Sequence, residues 1–171
     1  MKISIIFPFY RGIKTVPLLL EKIYTVVKEH NYDYEIIAVN DGSQDNVAFD
    51  VIRQWTDKDK NLKVIRFKVN AGQTAAIHAG IEHATGDVLI HMDSDLENDP
   101  ADIPALLGKI NEGYDVVSGW RQNRWKGKFF TRKLPSILAN SLISKITGVK
   151  HHDYGCTLKA YKREVIQGTP L

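Results

Sequence analysis

The run "GDVLIHMDSDLENDP", residues 86–100, decides which fold the chain can adopt. Its first part, "GDVLI" (86–90), is a short, nearly unbroken apolar segment of the kind that forms a strand buried on both faces. Carboxylates follow at 93, 95 and 97, and Asp99-Pro100 then opens a helix, with Asp99 as cap and Pro100 at the first helical position. Three acids at alternate positions repel one another and resist burial, so a positive group is expected among them. Asp93 and Asp95 share a face if the strand persists and approach a common point if it turns. Hard cations such as Mg²⁺ or Mn²⁺ take oxygen ligands, usually one or two carboxylates plus the phosphates of a substrate. Glu97 can add a third protein oxygen. An isolated D-x-D reads as a solvated loop with a helix cap. At the end of a buried strand it reads as a metal-phosphate site.

Short β-rich runs alternate with helical patterns on either side. "ISIIFPF" (3–9) reads as a first strand, and 17–29 as an amphipathic helix with Leu19, Leu20, Ile23, Val26 and Val27 on one side. "YEIIAV" (34–39) is a second strand and ends in the turn signal Asn-Asp-Gly-Ser. A helix over 45–56, a strand "LKVIRF" (62–67) and an alanine-rich helix over 73–84 lead to the strand 87–92. This alternation predicts an α/β domain, Rossmann-like, with a mostly parallel central sheet and helices on both faces. Ligands bind such sheets beyond the carboxyl ends of the strands, where strand order reverses. Asp41 and Asp93 both fall at strand ends, and so on one edge of the molecule.

With 171 residues, the expected organisation is a single domain, 1–171. A composition 43% hydrophobic and 25% charged excludes a disordered chain. One cysteine, Cys156, excludes a disulfide framework and fits a reducing compartment. No apolar run reaches the roughly 18–20 residues that span a bilayer. The start "MKISIIFPFY" is too short and interrupted an apolar stretch for a secretion signal. A soluble or membrane-peripheral protein is therefore expected. The end, "REVIQGTPL", lacks capping logic of its own and suggests a domain truncated at its C-terminus.

Acids and bases are segregated, although the net charge is only +3. "WRQNRWKGKFFTRK" (120–133) holds six Lys/Arg, no acid and four aromatics, a mixture that suits an anionic lipid surface. An ordinary loop is the plain alternative; nucleic acid would need a wider basic footprint and is not expected as a partner. The helix expected over 134–147 carries Ile137, Leu138, Leu142, Ile143 and Ile146 on one side, enough to pack on the domain. In "VNDGSQDN" (39–46), Asp41 either accepts a hydrogen bond from a base or sugar edge or caps the next helix. Neither G-x-G-x-x-G after the first strand nor G-x-x-x-x-G-K-[ST] is present, which disfavours a dinucleotide fingerprint and a P-loop. His151-His152-Asp153 lacks further metal partners nearby, His78 reads as a core or surface residue, and Cys156 as a buried small residue.

These pieces resemble family 2 glycosyltransferases of the GT-A fold, and among them the polyprenyl- or dolichyl-phosphate sugar transferases. The resemblance runs from Ile3 to about Val165 through "IIFPFY" (5–10), "EIIAVNDGSQD" (35–45), "NAGQTAAIHAGIEHATGD" (70–87), "MDSDLENDP" (92–100), "YDVVSGWRQNR" (114–124) and "DYGCTLKAYKREV" (153–165). It implies that Pro8 and Tyr10 contact the nucleoside, that Asp41 reads uracil or guanine, and that Asn70, Gly72 and Gln73 close over the nucleotide. Asp93 and Asp95 match the D-x-D that holds ribose, metal and diphosphate, and Glu97 falls where many relatives have a further metal ligand. Arg121 and Arg124 match basic residues near the transferred phosphate; Arg132 and Ser136 match a lipid-phosphate contact.

Two departures stand out. Arg11 and Gly12 replace the Asn-Glu that commonly follows Pro-x-Tyr, so the glutamate contact is absent, and the Q-x-x-R-W segment of processive polymer synthases is missing. The resemblance therefore implies transfer of a sugar, with Mg²⁺ or Mn²⁺, from a UDP- or GDP-sugar to a polyprenyl phosphate at the inner, cytoplasmic face of a membrane. A phosphate acceptor needs no strong general base; a saccharide hydroxyl, as in cell-wall polysaccharide synthesis, would need one such as Asp153. A non-catalytic nucleotide-sugar binding module is the alternative from another class.

Overall fold

The computed structural model describes residues 1–11, 14–43, 47–120, 153 and 155–169. Strand β1 (Lys2–Phe9) is followed by α1 (Thr15–Glu29), β2 (Asp33–Asn40), α2 (Val47–Thr56), β3 (Leu62–Arg66) and α3 (Gln73–Glu82). Next come β4 (Val88–His91), a 3₁₀ turn (Pro100–Asp102) running into α4 (Ile103–Asn111), β5 (Val116–Ser118), β6 (Lys159–Lys162) and the short α5 (Arg163–Ile166). The six strands form one sheet in the order β3-β2-β1-β4-β6-β5. β1 pairs in parallel with both β2 and β4, and β2 with β3, whereas β6 runs antiparallel to β4 and β5. This is the expected mostly parallel α/β sheet with helices on both faces. β5 and β6 have no counterpart among the strands read from sequence: one is three residues long, and the other, "KAYK", is half polar.

β1 and β2 are apolar almost throughout because both faces are covered. On one face, Ile3, Ile5, Phe7, Ile36 and Ile90 meet α1, Ile52 of α2, and Ile103, Leu106, Leu107 and Ile110 of α4. α1 earns its place through apolar residues at 16, 19, 20, 23, 26 and 27, a helical stripe that is wholly buried. It ends where Asn31 turns left-handed (φ 49°), with Tyr32 N–H donating to Val27 O at 3.0 Å and Asn31 N–H to Lys28 O at 3.2 Å. That is a Schellman closure with Asn in place of the usual glycine. On the other face, Ile6, Ile37, Val39 and Leu89 meet Ala76 and Ile81 of α3. Gly80 lets α3 lie that close, since a β-carbon there would overlap the Ile6 side chain.

Four chain segments are tied together at the amino ends of the parallel strands. The Glu35 carboxylate, 2% exposed, accepts from Ser4 Oγ (2.6 Å), Thr85 N–H (2.6 Å), Thr85 Oγ1 (2.8 Å) and Lys63 Nζ (2.7 Å). Ser4 Oγ in turn accepts the Gly86 N–H at 2.8 Å. Burial by itself would raise the Glu35 pKa, but these donors outweigh it and hold the group down at about 2. Among the described residues no helix is long and apolar enough to cross a membrane.

Candidate functional site

Strand order reverses between β1 and β4: the chain winds outward through β2 and β3, then crosses back to lay β4 on the other side of β1. A cleft of about 270 Å³ opens there, beyond the carboxyl ends of the parallel strands. It is lined by Pro8, Phe9 and Tyr10 from β1 and its exit, Asp41 after β2, Gln73 at the start of α3, and Asp93, Ser94 and Asp95 after β4. Register explains the convergence. Ile6 pairs with His91 and Phe9 with Asn40, so two further residues bring Asp93 beside Pro8, and one further residue brings Asp41 level with Tyr10. A larger depression of about 530 Å³ at the opposite end of the strands is lined by Asp87, Lys162, Arg163 and Glu164 among others. Three of its charges have partners within the fold, Lys162 on Asp115 at 2.7 Å, Asp87 on the Lys2 N–H at 2.9 Å and Arg163 on Thr85 O at 3.3 Å.

Asp41 is 5% exposed and anchors the loop that approaches from β3. Its carboxylate accepts from Asn70 Nδ2 (3.0 Å), Ala71 N–H (2.8 Å) and Gly72 N–H (3.0 Å). Among the described residues, Asp41 satisfies donors leading into α3. Asn70 thus acts through Asp41 and does not line the cleft. Gly42 makes the approach possible: with φ at +69°, a β-carbon there would overlap the backbone of Val69 and Asn70. Ser43 completes the turn, its N–H on Asn40 Oδ1 at 2.9 Å and its Oγ receiving the Arg11 N–H at 3.0 Å.

The acidic loop is shaped by its own hydrogen bonds. Gln73 Nε2 donates to Asp93 Oδ1, which links the first residue of α3 to the first acid. Asp95 Oδ1 accepts the Glu97 N–H at 2.9 Å across Leu96, whose φ of 66° is left-handed for a branched residue. Leu96 is held in that conformation by packing its side chain on the core. Asn98, 5% exposed, donates to Thr157 Oγ1 at 2.8 Å and accepts from Cys156 Sγ at 3.5 Å, which docks the loop on the segment after Asp153. Asp99 Oδ1 then receives the Ala101 N–H at 3.3 Å, the expected cap, although the first turn behind it is 3₁₀.

Of the residues singled out from sequence, Pro8, Tyr10, Asp41, Gln73, Asp93 and Asp95 meet in this one cleft. Glu97 is exposed, lies outside the cleft lining, and contributes its backbone to the Asp95 turn. Asp153 also lies outside the lining; its Oδ1 accepts the Gly155 N–H at 3.1 Å. Arg121, Arg124, Arg132 and Ser136, the helix over 134–147 and His151-His152 lie outside the described residues. Cys156 is buried, as expected. Sequence reasoning missed Ser43 and Asn98. Both are ordinary polar residues whose partners come from distant segments.

The donor set suits a hard divalent cation. Asp93 and Asp95 supply carboxylate oxygens to one cleft, and among the described residues no group of three or more His, Cys, Asp or Glu is placed to hold an ion unaided. Such a pair of carboxylates fits Mg²⁺ or Mn²⁺ when substrate phosphates complete the coordination.

A mostly parallel sheet with an antiparallel β6 beside β4, carrying an acidic loop at the switch point, defines a GT-A type domain. The chain belongs to a particular family within that class: residues 4–169 match the sequence model described as Glycosyl transferase family 2. It is 38% identical over 172 residues to a dodecaprenyl-phosphate galacturonate synthase of Rhizobium johnstonii (strain DSM 114642 / LMG 32736 / 3841), covering 100% of this chain and 51% of that protein. It thus spans about half the length of that relative. Among solved structures, the mannosyltransferase PcManGT from Pyrobaculum calidifontis, in complex with GDP-Man and Mn²⁺, superposes with a TM-score of 0.67 at 21% identity, over 96% of this chain and 45% of that one. Glucosyl-3-phosphoglycerate synthase from Mycobacterium tuberculosis, in complex with Mn²⁺, UDP-glucose and phosphoglyceric acid, gives 0.71 at 19% identity, over 96% and 57%. At these identities the structural likeness concerns the fold.

Proposed function

We propose that the chain carries the nucleotide-sugar site of a transferase that moves a glycosyl unit from a nucleoside diphosphate sugar to a polyprenyl phosphate, with Mg²⁺ or Mn²⁺. The observation that carries this reading is the single cleft in which Tyr10, Asp41, Gln73, Asp93 and Asp95 converge from four segments of the chain. Support for the acceptor comes from the name of the 38% identical relative, a synthase of a dodecaprenyl-phosphate sugar. Support for the donor and the metal comes from the two solved structures, which hold a nucleotide sugar with Mn²⁺.

In this reading Tyr10, 44% exposed at the cleft wall, stacks on the base, and Asp41 accepts from the base edge. Gln73 holds Asp93 in place toward ribose and metal, and Asp95 faces the diphosphate. Glu97, one residue beyond the Asp95 turn, is the candidate for a third oxygen. A bound divalent ion supplies positive charge to the leaving diphosphate. An acceptor phosphate oxygen attacks the anomeric carbon. The bond from that carbon to the diphosphate breaks, and the nucleoside diphosphate leaves with the electron pair. Because the acceptor is already anionic at neutral pH, the residues need only orient it and exclude water. Arg121, Arg124, Arg132 and Ser136 are proposed to serve the transferred and acceptor phosphates. The basic, aromatic run 120–133 is proposed to rest on an anionic membrane face, on the cytoplasmic side.

The test is calorimetric titration of UDP and GDP with and without Mn²⁺ on wild type and Asp95→Asn, followed by transfer assays on a short polyprenyl phosphate. The variant should lose Mn²⁺-dependent affinity by at least the about 10–100-fold that loss of even an outer partner costs a metal site. Its circular dichroism should match wild type. Unchanged affinity in Asp95→Asn would sink the metal assignment.

A further inference from the structure

A second cavity, of about 270 Å³, opens on the α3 face of the sheet. It is lined by Thr74, Ile77 and Ile81 of α3, His91 of β4, Tyr161 of β6 and Ile166 of α5. His91 is 9% exposed and lies flat against Tyr161, with ring centroids 5.6 Å apart and planes at 11°. Its Nδ1 is buried without a hydrogen-bond partner among the described residues. A buried polar atom of that kind calls for an explanation. Orphaned N–H groups are the rarer case, so the ring proton belongs on Nε2, which leaves that nitrogen as the donor to whatever fills the cavity.

The cavity has a direction. β1 to β4 are mutually parallel, so α3, which joins β3 to β4, runs from the carboxyl edge of the sheet to its amino edge. Gln73 lines the nucleotide cleft, and the next residue, Thr74, lines this cavity. His91 stands two residues before Asp93. The polar end therefore adjoins the cleft, and Lys159, opposite His91 in the β4–β6 register, brings positive charge to it. Ile77, Ile81 and Ile166 lead away from it. Between Thr74 and Ile81 the helix rises about 10 Å.

We propose that this cavity holds the first isoprene units of a polyprenyl phosphate, with the phosphate at the cleft end. The inference rests on the polyprenyl-phosphate reading above and gives that acceptor a place. A dry cavity of roughly 150 Å³ takes up benzene, so 270 Å³ suits about ten carbons, or two isoprene units. Its two ends match those of the molecule in the order that transfer needs: phosphate toward Asp93 and Asp95, chain along α3 and out past Ile166. His91 Nε2–H, the Thr74 hydroxyl and Lys159 supply donors at the phosphate end. The stacked His91–Tyr161 wall offers flat faces to the planar double bonds of the chain.

The experiment is methyl NMR of the 171-residue chain, with its isoleucine methyls labelled, titrated with geranyl phosphate. The Ile77, Ile81 and Ile166 signals should shift saturably, and those of Ile23 and Ile36 on the opposite face should not. Octyl phosphate, the same backbone length without the two methyl branches, should bind about tenfold more weakly, at the transfer value of one buried CH₂ per branch. Geraniol, which lacks the phosphate, should also bind about tenfold more weakly, the scale of one hydrogen bond to a charged group. Ile77→Trp, which fills the cavity, should weaken geranyl phosphate at least about tenfold and leave UDP binding in Mn²⁺ unchanged. Ile166→Trp, at the far end, repeats that test should the first variant not fold. No shift at the three isoleucines, or a filled variant that binds UDP and geranyl phosphate as wild type does, would overturn the site and leave the nucleotide-sugar reading in place. Octyl phosphate bound as tightly as geranyl phosphate would overturn the prenyl assignment, and geraniol bound as tightly would overturn the placement of the phosphate. If wild type binds neither geranyl phosphate nor any nucleoside diphosphate, both readings fall together.

Discussion

Replacing Glu35 by Gln should expose the knot that ties the amino ends of the sheet. The substitution keeps size and shape. Its carbonyl can still accept the Ser4 and Thr85 donors now on Oε1, but an amide NH₂ replaces the oxygen that Lys63 approaches at 2.7 Å. The variant therefore removes the charge together with the Lys63 hydrogen bond, and keeps the Ser4 and Thr85 contacts. The depression of Glu35 from an ordinary 4.5 to about 2 corresponds to about 3 kcal/mol of stability. Lys63 is 48% exposed, so part of its contribution is screened, and a loss of about 2 kcal/mol at pH 7 is expected. For a domain of this size that lowers Tm by about 4–8 °C.

The pH dependence carries the sharper test. A carboxyl whose pKa is depressed on folding stabilises fully above its unfolded value and loses that contribution as pH falls toward its folded one. The gap between wild type and Glu35→Gln should thus be constant from pH 7 to about 5 and shrink toward zero between about 4.5 and 2. His91, pushed down to about 4 by burial and then by Lys159, adds its own acid destabilisation below about 6.5. That contribution is common to both proteins and cancels in the difference. Urea titrations from pH 7 to pH 3 supply the measurement. A gap below about 0.5 kcal/mol at pH 7, within the range of ordinary surface substitutions, or one that does not change with pH, would refute the argument.

Gly42→Ala should cost at least about 2 kcal/mol, from the left-handed backbone and the overlap with Val69 and Asn70 together, and should lower UDP affinity because the loop is pushed off Asp41; thermal melts with calorimetry check both, and wild-type stability would remove the close approach. Asn98→Ala should cost about 1–2 kcal/mol by freeing Thr157 and should weaken UDP in Mn²⁺ more than uridine, since it loosens the acidic loop and not the base wall; equal losses for the two ligands would contradict that separation.

The parallel sheet and its working edge were legible in the chain because they depend on local pattern. "SIIFPF", "EIIAV" and "DVLI" are apolar enough to demand cover on both faces, and strands of that kind end in ligands. Asp41, Asp93 and Asp95 could be found from those strand ends alone. Tyr10 and Gln73 needed the family resemblance as well, since neither position announces itself by pattern. The antiparallel pair β5 and β6 was not legible: three and four residues with polar members carry too little periodicity, and they form because β4 offers an open edge.

The partners of polar side chains were decided by tertiary structure. Nothing near Glu35 in sequence shows that a residue of an apolar strand will collect Ser4, Lys63 and Thr85, and "VNDGS" does not say that Asp41 will receive the donors of residues 70–72. Apolar pattern is written along each strand, since burial depends on one residue at a time. A hydrogen bond needs two groups at a set distance and angle, and the second group here lies 28 to 50 residues away, so only the folded chain selects it.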